Sequence, residues 1–452
     1  MRQPGDILVV SCYELGRQPV AVASALAELR RAGFAPAVLD VSVQEIDVAA
    51  LARARLVAVS VPMHTALRLG VRVAQRTPEE ARVCFFGLYA ELNAEHLLEK
   101  HADFVIGGEA DVPLRLLAEA LERGNADAVP GVRTADGATR FEREKKRAPV
   151  PSRAGLPVLE RYARLDVDGE QRLVASVEAS RGCKHLCRHC PIVPVYRGRF
   201  VAVPRETVLA DIEQQIAMGA RHVTFADPDF LNGPTHALRI ARELHERWPD
   251  VTFDATIKIE HLLDNRRVLP ELAACGCLFI TSAVESLNDR VLAALRKGHT
   301  AADVPVALRE VRAAGIDLRP TLLPYTPWTE LRDLPALFDF AVEHDLVDRI
   351  DPVQYTLRLL IPPGSAILDG DEPRPWLGSL EAEQFGWSWT HPDARVDQLW
   401  RASAALAKAD AEAEADPLDT FRKLRALADP RARDLPRRPR RHVPRLTEPW
   451  FC

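Results

Sequence analysis

What most limits the fold of this 452-residue chain is a double run of alternation, in which short apolar stretches are each followed by a helical pattern. The first series holds DILVVSC, APAVLDVSV, RLVAVSV, RVCFFGL and DFVIGGE. Near-continuous apolar runs of this length belong to parallel strands buried on both faces. The helical stretch VAVASALAELRRAG between the first two ends on Gly33, a helix-stop position. Residues 1–125 therefore read as an α/β unit, a doubly wound parallel sheet with right-handed crossovers. From 126 to 172 the chain turns polar and rich in Pro and Gly, as in a small hairpin followed by a linker. A second series spans 173–370: LVASVEAS, HVTFADPDF, VTFDATIKI, CLFITSAVES, DLRPTLLP and DPVQYTLRLL. Six β/α units in a row fit a partial (β/α)6 barrel, whose chemistry sits at the C-terminal ends of its strands. Residues 371–452 differ, with a Trp-rich patch (Trp376, Trp387, Trp389, Trp400), the helical RASAALAKADAEAEA, and a basic Pro-rich tail that reads as a solvated tether.

The bulk properties narrow the function classes. A net charge of −5 gives no electrostatic reason to expect nucleic acid or an anionic membrane as the main partner. No apolar run approaches membrane-spanning length, and the N-terminus shows no cleavable leader pattern. Eight cysteines in a chain this long, five of them scattered, point to a reducing cytoplasm and not to a disulfide scaffold.

The other three cysteines crowd one loop, SRGCKHLCRHCPIVPVYRGRF, as Cys183, Cys187 and Cys190. Thiolates select iron–sulfur clusters, zinc or copper(I). Structural zinc wants four closed ligands, and no second CxxC pair exists. His185 and His189 could complete a zinc site, but inside so short a loop closure on four points is awkward. A four-iron cluster on three thiolates keeps one iron open. An iron–sulfur electron carrier or a zinc-stabilised binding protein is the reading from outside enzymology.

This C-x3-C-x2-C spacing, after the first strand of a β/α barrel, resembles the radical S-adenosylmethionine superfamily. The resemblance implies that the three cysteines bind a [4Fe-4S] cluster and that S-adenosylmethionine chelates its fourth iron. Reductive cleavage then gives a 5′-deoxyadenosyl radical, fed by an electron donor such as a flavodoxin or ferredoxin. It also implies cofactor contacts: His189 near the adenine, Asp227 at the methionyl ammonium, and Glu285 with Ser286 at the ribose or amino group. Arg319 would face the methionyl carboxylate, with a structural ion pair as the competing reading. For Asp227 and Asp229 the competing reading is capping of the next turn, for Ser286 a helix N-cap. Cys12, Cys84, Cys275 and Cys277 read as buried, inert thiols.

The first domain resembles the cobalamin-binding domain that precedes many such barrels, which makes cobalamin a further candidate cofactor and cobalamin-dependent methyl transfer an alternative reaction. The axial-ligand pattern D-x-H-x-x-G is absent, since SCYELGRQP stands in its place. Gly107 and Gly108 end the fifth strand, where backbone can approach a ligand closely. The final LTEPWFC resembles the start of a tail found in one subgroup, which continues as Cys-selenocysteine-Ala-Glu-Pro or Cys-Cys-Ala-Glu-Pro. On that likeness the chain is expected to stop at a selenocysteine codon, with Cys452 as half of a redox pair. The substrate, a small molecule or peptide, is not named by the residues.

Overall fold

The structure is a computed structural model that describes residues 1–126, 128–139, 149–433, 435, 439 and 441–448. Cys452, the candidate redox thiol, lies outside them. The five apolar runs of the first series form β1 (Ile7–Ser11), β2 (Ala37–Asp40), β3 (Leu56–Ser60), β4 (Arg82–Phe86) and β5 (Phe104–Ile106). They are parallel, in the order β2-β1-β3-β4-β5, and a short hairpin, β6 (Arg133–Thr134) and β7 (Gly137–Ala138), extends the edge antiparallel. Alternate residues supply two cores. Ile7, Val9 and Ala58 face the helices Val20–Arg31 and Asp111–Glu122, while Leu8, Val10 and Val59 face the opposite layer.

The second sheet starts earlier than the sequence suggests, with the hairpin β8 (Arg164–Val167) and β9 (Glu170–Val177). Next come β10 (Ser180–Gly182) and β11 (Phe200–Ala202), a small antiparallel pair bracketing the cysteine loop. The curled sheet continues with β12 (His222–Phe225), β13 (Thr252–Thr256), β14 (Cys277–Glu285) and β15 (Asp317–Leu322), all parallel to β9. Period-two alternation sets the two faces. Val223, Phe225, Phe253 and Ile280 pack on the surrounding helices. On the other face the Asp254 carboxylate accepts from Thr224 (2.5 Å) and lies 2.9 Å from Nε2 of His222.

The sixth barrel strand expected at DPVQYTLRLL does not form. Pro352–Thr356 is a 3-10 turn, and only one parallel bridge, Tyr325 to Arg358, continues the sheet. Proline removes a ladder donor, and the Gln354 side chain takes the Leu322 N–H that a strand backbone would otherwise bind (3.0 Å). Beyond it stand a hairpin, β16 (Leu377–Glu381) and β17 (Gly386–Trp389), and two helices, Ala394–Glu412 and Pro417–Ala428. The tryptophans are spent on packing: Trp376 and Trp389 meet edge to face, and the Arg358 guanidinium lies 3.5 Å from the centroid of the Trp389 ring.

The tail is not a free tether. Its β18 (Arg445–Leu446) adds antiparallel to β8, and Tyr13 then donates to Glu448 (2.5 Å). Between the sheets the linker plants Arg153, fully buried, in a bidentate pair with Asp211 (3.0 and 2.7 Å). The same guanidinium donates to the Ser176 carbonyl and to Gln18, tying linker, barrel and first domain together. Among the described residues no helix is long and apolar enough to cross a membrane.

Candidate metal centre and its surroundings

The cysteine loop leaves β10 through Gly182, whose φ of +76° and approach to the Arg199 carbonyl leave no room for a side chain. Asn232 clamps the turn, accepting from Lys184 N–H and donating to the Gly182 carbonyl (both 3.2 Å). Arg188 anchors the far side on the carbonyls of Ala366 and Asp369 (both 3.0 Å). The loop thus holds Cys183, Cys187 and Cys190 in a fixed frame. In the metal-free chain burial pushes the thiol of Cys183 up to about 11 and that of Cys190 to about 12, so deprotonation there needs a bound cation.

The two imidazoles of the loop each hold a partner outside it. His185 places Nε2 2.9 Å from Nε2 of His261 and accepts from Lys258 at Nδ1 (3.2 Å). Burial, then the Lys258 ammonium, pushes His185 down to about 4 and keeps it neutral. His189 spends Nε2 on Glu285 (3.2 Å). Its Nδ1 is buried and unbonded, yet among the described residues none of the three thiols belongs to a group of three donor atoms close enough together for a single ion.

Glu285 ends β14 at a bulge, with φ at +65°, a costly conformation for a residue with a side chain. One oxygen, Oε1, receives both His189 and the buried Lys297 ammonium (3.2 Å each). Burial works to raise this carboxyl, but Lys297 and then His189 outweigh it and hold it down to about 2. A depressed carboxyl adds stability above its unfolded value of about 4.3, and that stability is lost as pH falls toward 2. The stability gap between wild type and Glu285→Gln should therefore narrow between pH 5 and pH 3 in urea unfolding of the cluster-free chain, whereas a constant gap would show that Glu285 is not held by these cations.

The sequence profile of the radical SAM superfamily matches residues 177–337, from the end of β9 into the helix Asp333–Glu343. The chain carries a radical SAM domain. Outside it the likeness is one of fold. A radical S-adenosylmethionine methyltransferase, TsrM, from Kitasatospora setae, solved with cobalamin and a [4Fe-4S] cluster, superposes with a TM-score of 0.66 at 17% identity, over 92% of this chain and 90% of that one. The cobalamin-dependent radical enzyme OxsB, with aqua-cobalamin and S-adenosylmethionine, gives 0.68 at 15% identity over 90% and 66%. Among curated proteins, the tRNA-2-methylthio-N(6)-dimethylallyladenosine synthase of Mannheimia succiniciproducens is 28% identical over 171 residues, 35% of each chain. The match thus spans about a third of the length of such relatives.

Within the radical SAM domain the remaining candidate residues fall into distinct places. Asp227 has both oxygens engaged on the base of the cysteine loop, accepting from Ala179 N–H (2.8 Å) and Ser180 Oγ (2.6 Å). It buttresses the loop, and burial pushes its carboxyl up to about 7. Asp229 caps its turn through Leu231 N–H, as the sequence allows, and its Oδ2 also accepts from Lys258 N–H (3.1 Å). Ser286 is not the helix cap: Asn288 caps Asp289–Ala294, and Ser286 Oγ accepts from Asn288 N–H. Arg319 is misplaced for a cofactor carboxylate. It pairs in register with Thr281, four residues or about 13 Å below Glu285. Its guanidinium binds Asp351 (3.0 Å) and the Pro444 carbonyl (3.1 Å), a structural pair that also seats the tail. The buried Cys275 and Cys277 form no disulfide. Lys297, Lys258, His261 and Asn232 carry no signal in the sequence, because each acts through a partner distant in the chain.

Above the barrel, a cavity of about 310 Å³ separates the domains, lined by Leu15, Met63, Gly108, Glu178, Arg181 and Ala226 among others. It runs along the carboxyl ends of the first sheet, where open α/β sheets bind ligands. Gly108 faces it at φ +59°, whereas Gly107 is closed off by the Glu91 side chain. Arg181 spans its rim to Glu178 (2.7 Å), Glu109 and Asp111 (3.3 Å each), and Tyr196 donates to Glu109 (2.9 Å).

Proposed function

We propose that the chain is a radical S-adenosylmethionine enzyme that modifies a small substrate admitted between the two domains. The observation that carries the reading is the set of three framed thiols, none of which belongs, among the described residues, to a group of three donor atoms close enough together to share a single ion. Such a donor set fits a [4Fe-4S] cluster with one iron free. When bound, that cluster supplies the electron that splits S-adenosylmethionine into methionine and a 5′-deoxyadenosyl radical. The protein's own part is positioning. Asp227 and Asn232 fix the loop, and Lys297 sets a buried positive charge against Cys187 and Cys190. Glu285, held ionised, is an acceptor at the strand end for hydroxyl or ammonium donors of the cofactor. His189 keeps Nδ1 buried and unbonded beside it. The test is anaerobic: the reconstituted protein, reduced with dithionite or flavodoxin, should release 5′-deoxyadenosine from S-adenosylmethionine. Tightly bound zinc with no cleavage would instead support the binding-protein reading.

A second reading is cobalamin-dependent methyl transfer, favoured by the superposition of 92% of the chain on the cobalamin-bound methyltransferase TsrM. The cavity of about 310 Å³ at the carboxyl ends of the first sheet is the place for the corrin. The domains are joined directly by Arg181 and Tyr196 to the loop after β5. No imidazole stands at the end of β1, where Glu14 and Arg17 line the cavity. On this second reading, protein reconstituted with hydroxocobalamin and desalted keeps a stoichiometric corrin band; no corrin absorption would overturn it.

A further inference from the structure

The tip of the β16–β17 hairpin docks on the first domain. Phe385, at φ +60° and almost fully buried, is its knob, packed edge to face on His64 and His96. His64 Nε2 lies 2.9 Å from the Gln384 carbonyl. Beside the knob, His96 and His101 come from the helix Ala94–Lys100 and its C-cap, with ring centroids 5.5 Å apart. The Nε2 atoms of both are buried and have no hydrogen-bond partner. Glu383 reaches in from the hairpin, with Oε2 4.0 Å from His96 Nε2. One donor atom from each of the three residues lies within 4.8 Å of the others.

We propose that His96, His101 and Glu383 form a zinc site that staples the C-terminal hairpin to the first domain. Leaving two buried imidazole nitrogens unpartnered costs free energy that a cation would recover. Two imidazoles and a carboxylate are a zinc donor set, with water as the fourth ligand. Tetrahedral zinc at these bond lengths needs donors about 3.4 Å apart, so the exposed Glu383 side chain has less than an ångström to close on His96. The helix carboxyl end, where His101 sits, favours positive charge. Lys100 occupies the other carboxylate oxygen, Oε1 (2.7 Å), and leaves Oε2 for the metal.

The test uses the full chain with its cluster reconstituted, dialysed against zinc buffered by nitrilotriacetate and analysed for both metals. One zinc per chain beyond the cluster iron is expected. His96→Ala and His101→Ala should lose it with the iron count unchanged. Glu383→Gln, at an exposed position that does not threaten folding, should weaken zinc binding by more than about tenfold, since even outer-shell changes cost that much. A wild-type protein without the extra zinc, or one whose zinc survives all three substitutions, would overturn the site. The unchanged iron count keeps this result separate from the fate of the cluster reading.

Discussion

Replacing Cys187 with alanine is expected to abolish cleavage of S-adenosylmethionine while leaving the chain folded. Cys187 is the most buried of the three thiols, and its carbonyl accepts from Cys190 N–H (3.0 Å). Alanine keeps that backbone bond and removes only the sulfur. Two thiolates are left to hold the cluster, and His185 and His189 each keep one nitrogen on His261 and Glu285. Iron should fall well below four per chain and 5′-deoxyadenosine to the level of the reductant alone. The same loss is expected at Cys183 and Cys190. Normal cleavage in any of the three variants would remove the cluster from the mechanism.

The largest effect on stability is expected at Arg153, in a linker that composition alone marks as irregular. Its guanidinium is sealed from solvent, forms two hydrogen bonds with Asp211, and donates to the Ser176 carbonyl on β9. Removing one partner of such a pair strands the other charge, at about 3–5 kcal/mol. Arg153→Ala should therefore lower the melting temperature by about 10 °C, the scale a loss of that size produces in a domain this large. Replacing both partners, Arg153→Met with Asp211→Leu, should recover much of the loss, since well-packed apolar residues often replace a buried pair at little cost. A single mutant that melts with the wild type would show that the linker does not join the domains.

The contrast between these residues shows what a sequence makes legible here. The cysteine loop is readable because its ligands lie within eight residues and their spacing is itself the chemistry. The parallel strands are readable because burial on both faces leaves an unbroken apolar run, as in ILVVS and LVAVS. DPVQYTLRLL has the same apolar look, yet Pro352 and the Gln354 side chain turn it away from the ladder. Arg319 is legible as a strand residue, but its height along that strand depends on register with β14, which no local pattern encodes. Glu285 is legible as a strand-end carboxylate. Its partner Lys297 is not, because the contact is made only when the chain turns back twelve residues later. The basic tail reads as solvated from its charge, while two of its residues in fact complete the barrel edge.

The most direct test is the electron paramagnetic resonance spectrum of the reduced, reconstituted protein, taken with and without S-adenosylmethionine. A cluster with one iron left open by Cys183, Cys187 and Cys190 should change its g-values when the cofactor binds that iron. A [4Fe-4S] signal unmoved by saturating S-adenosylmethionine would mean that the polypeptide already fills every iron, and would contradict the account at its root.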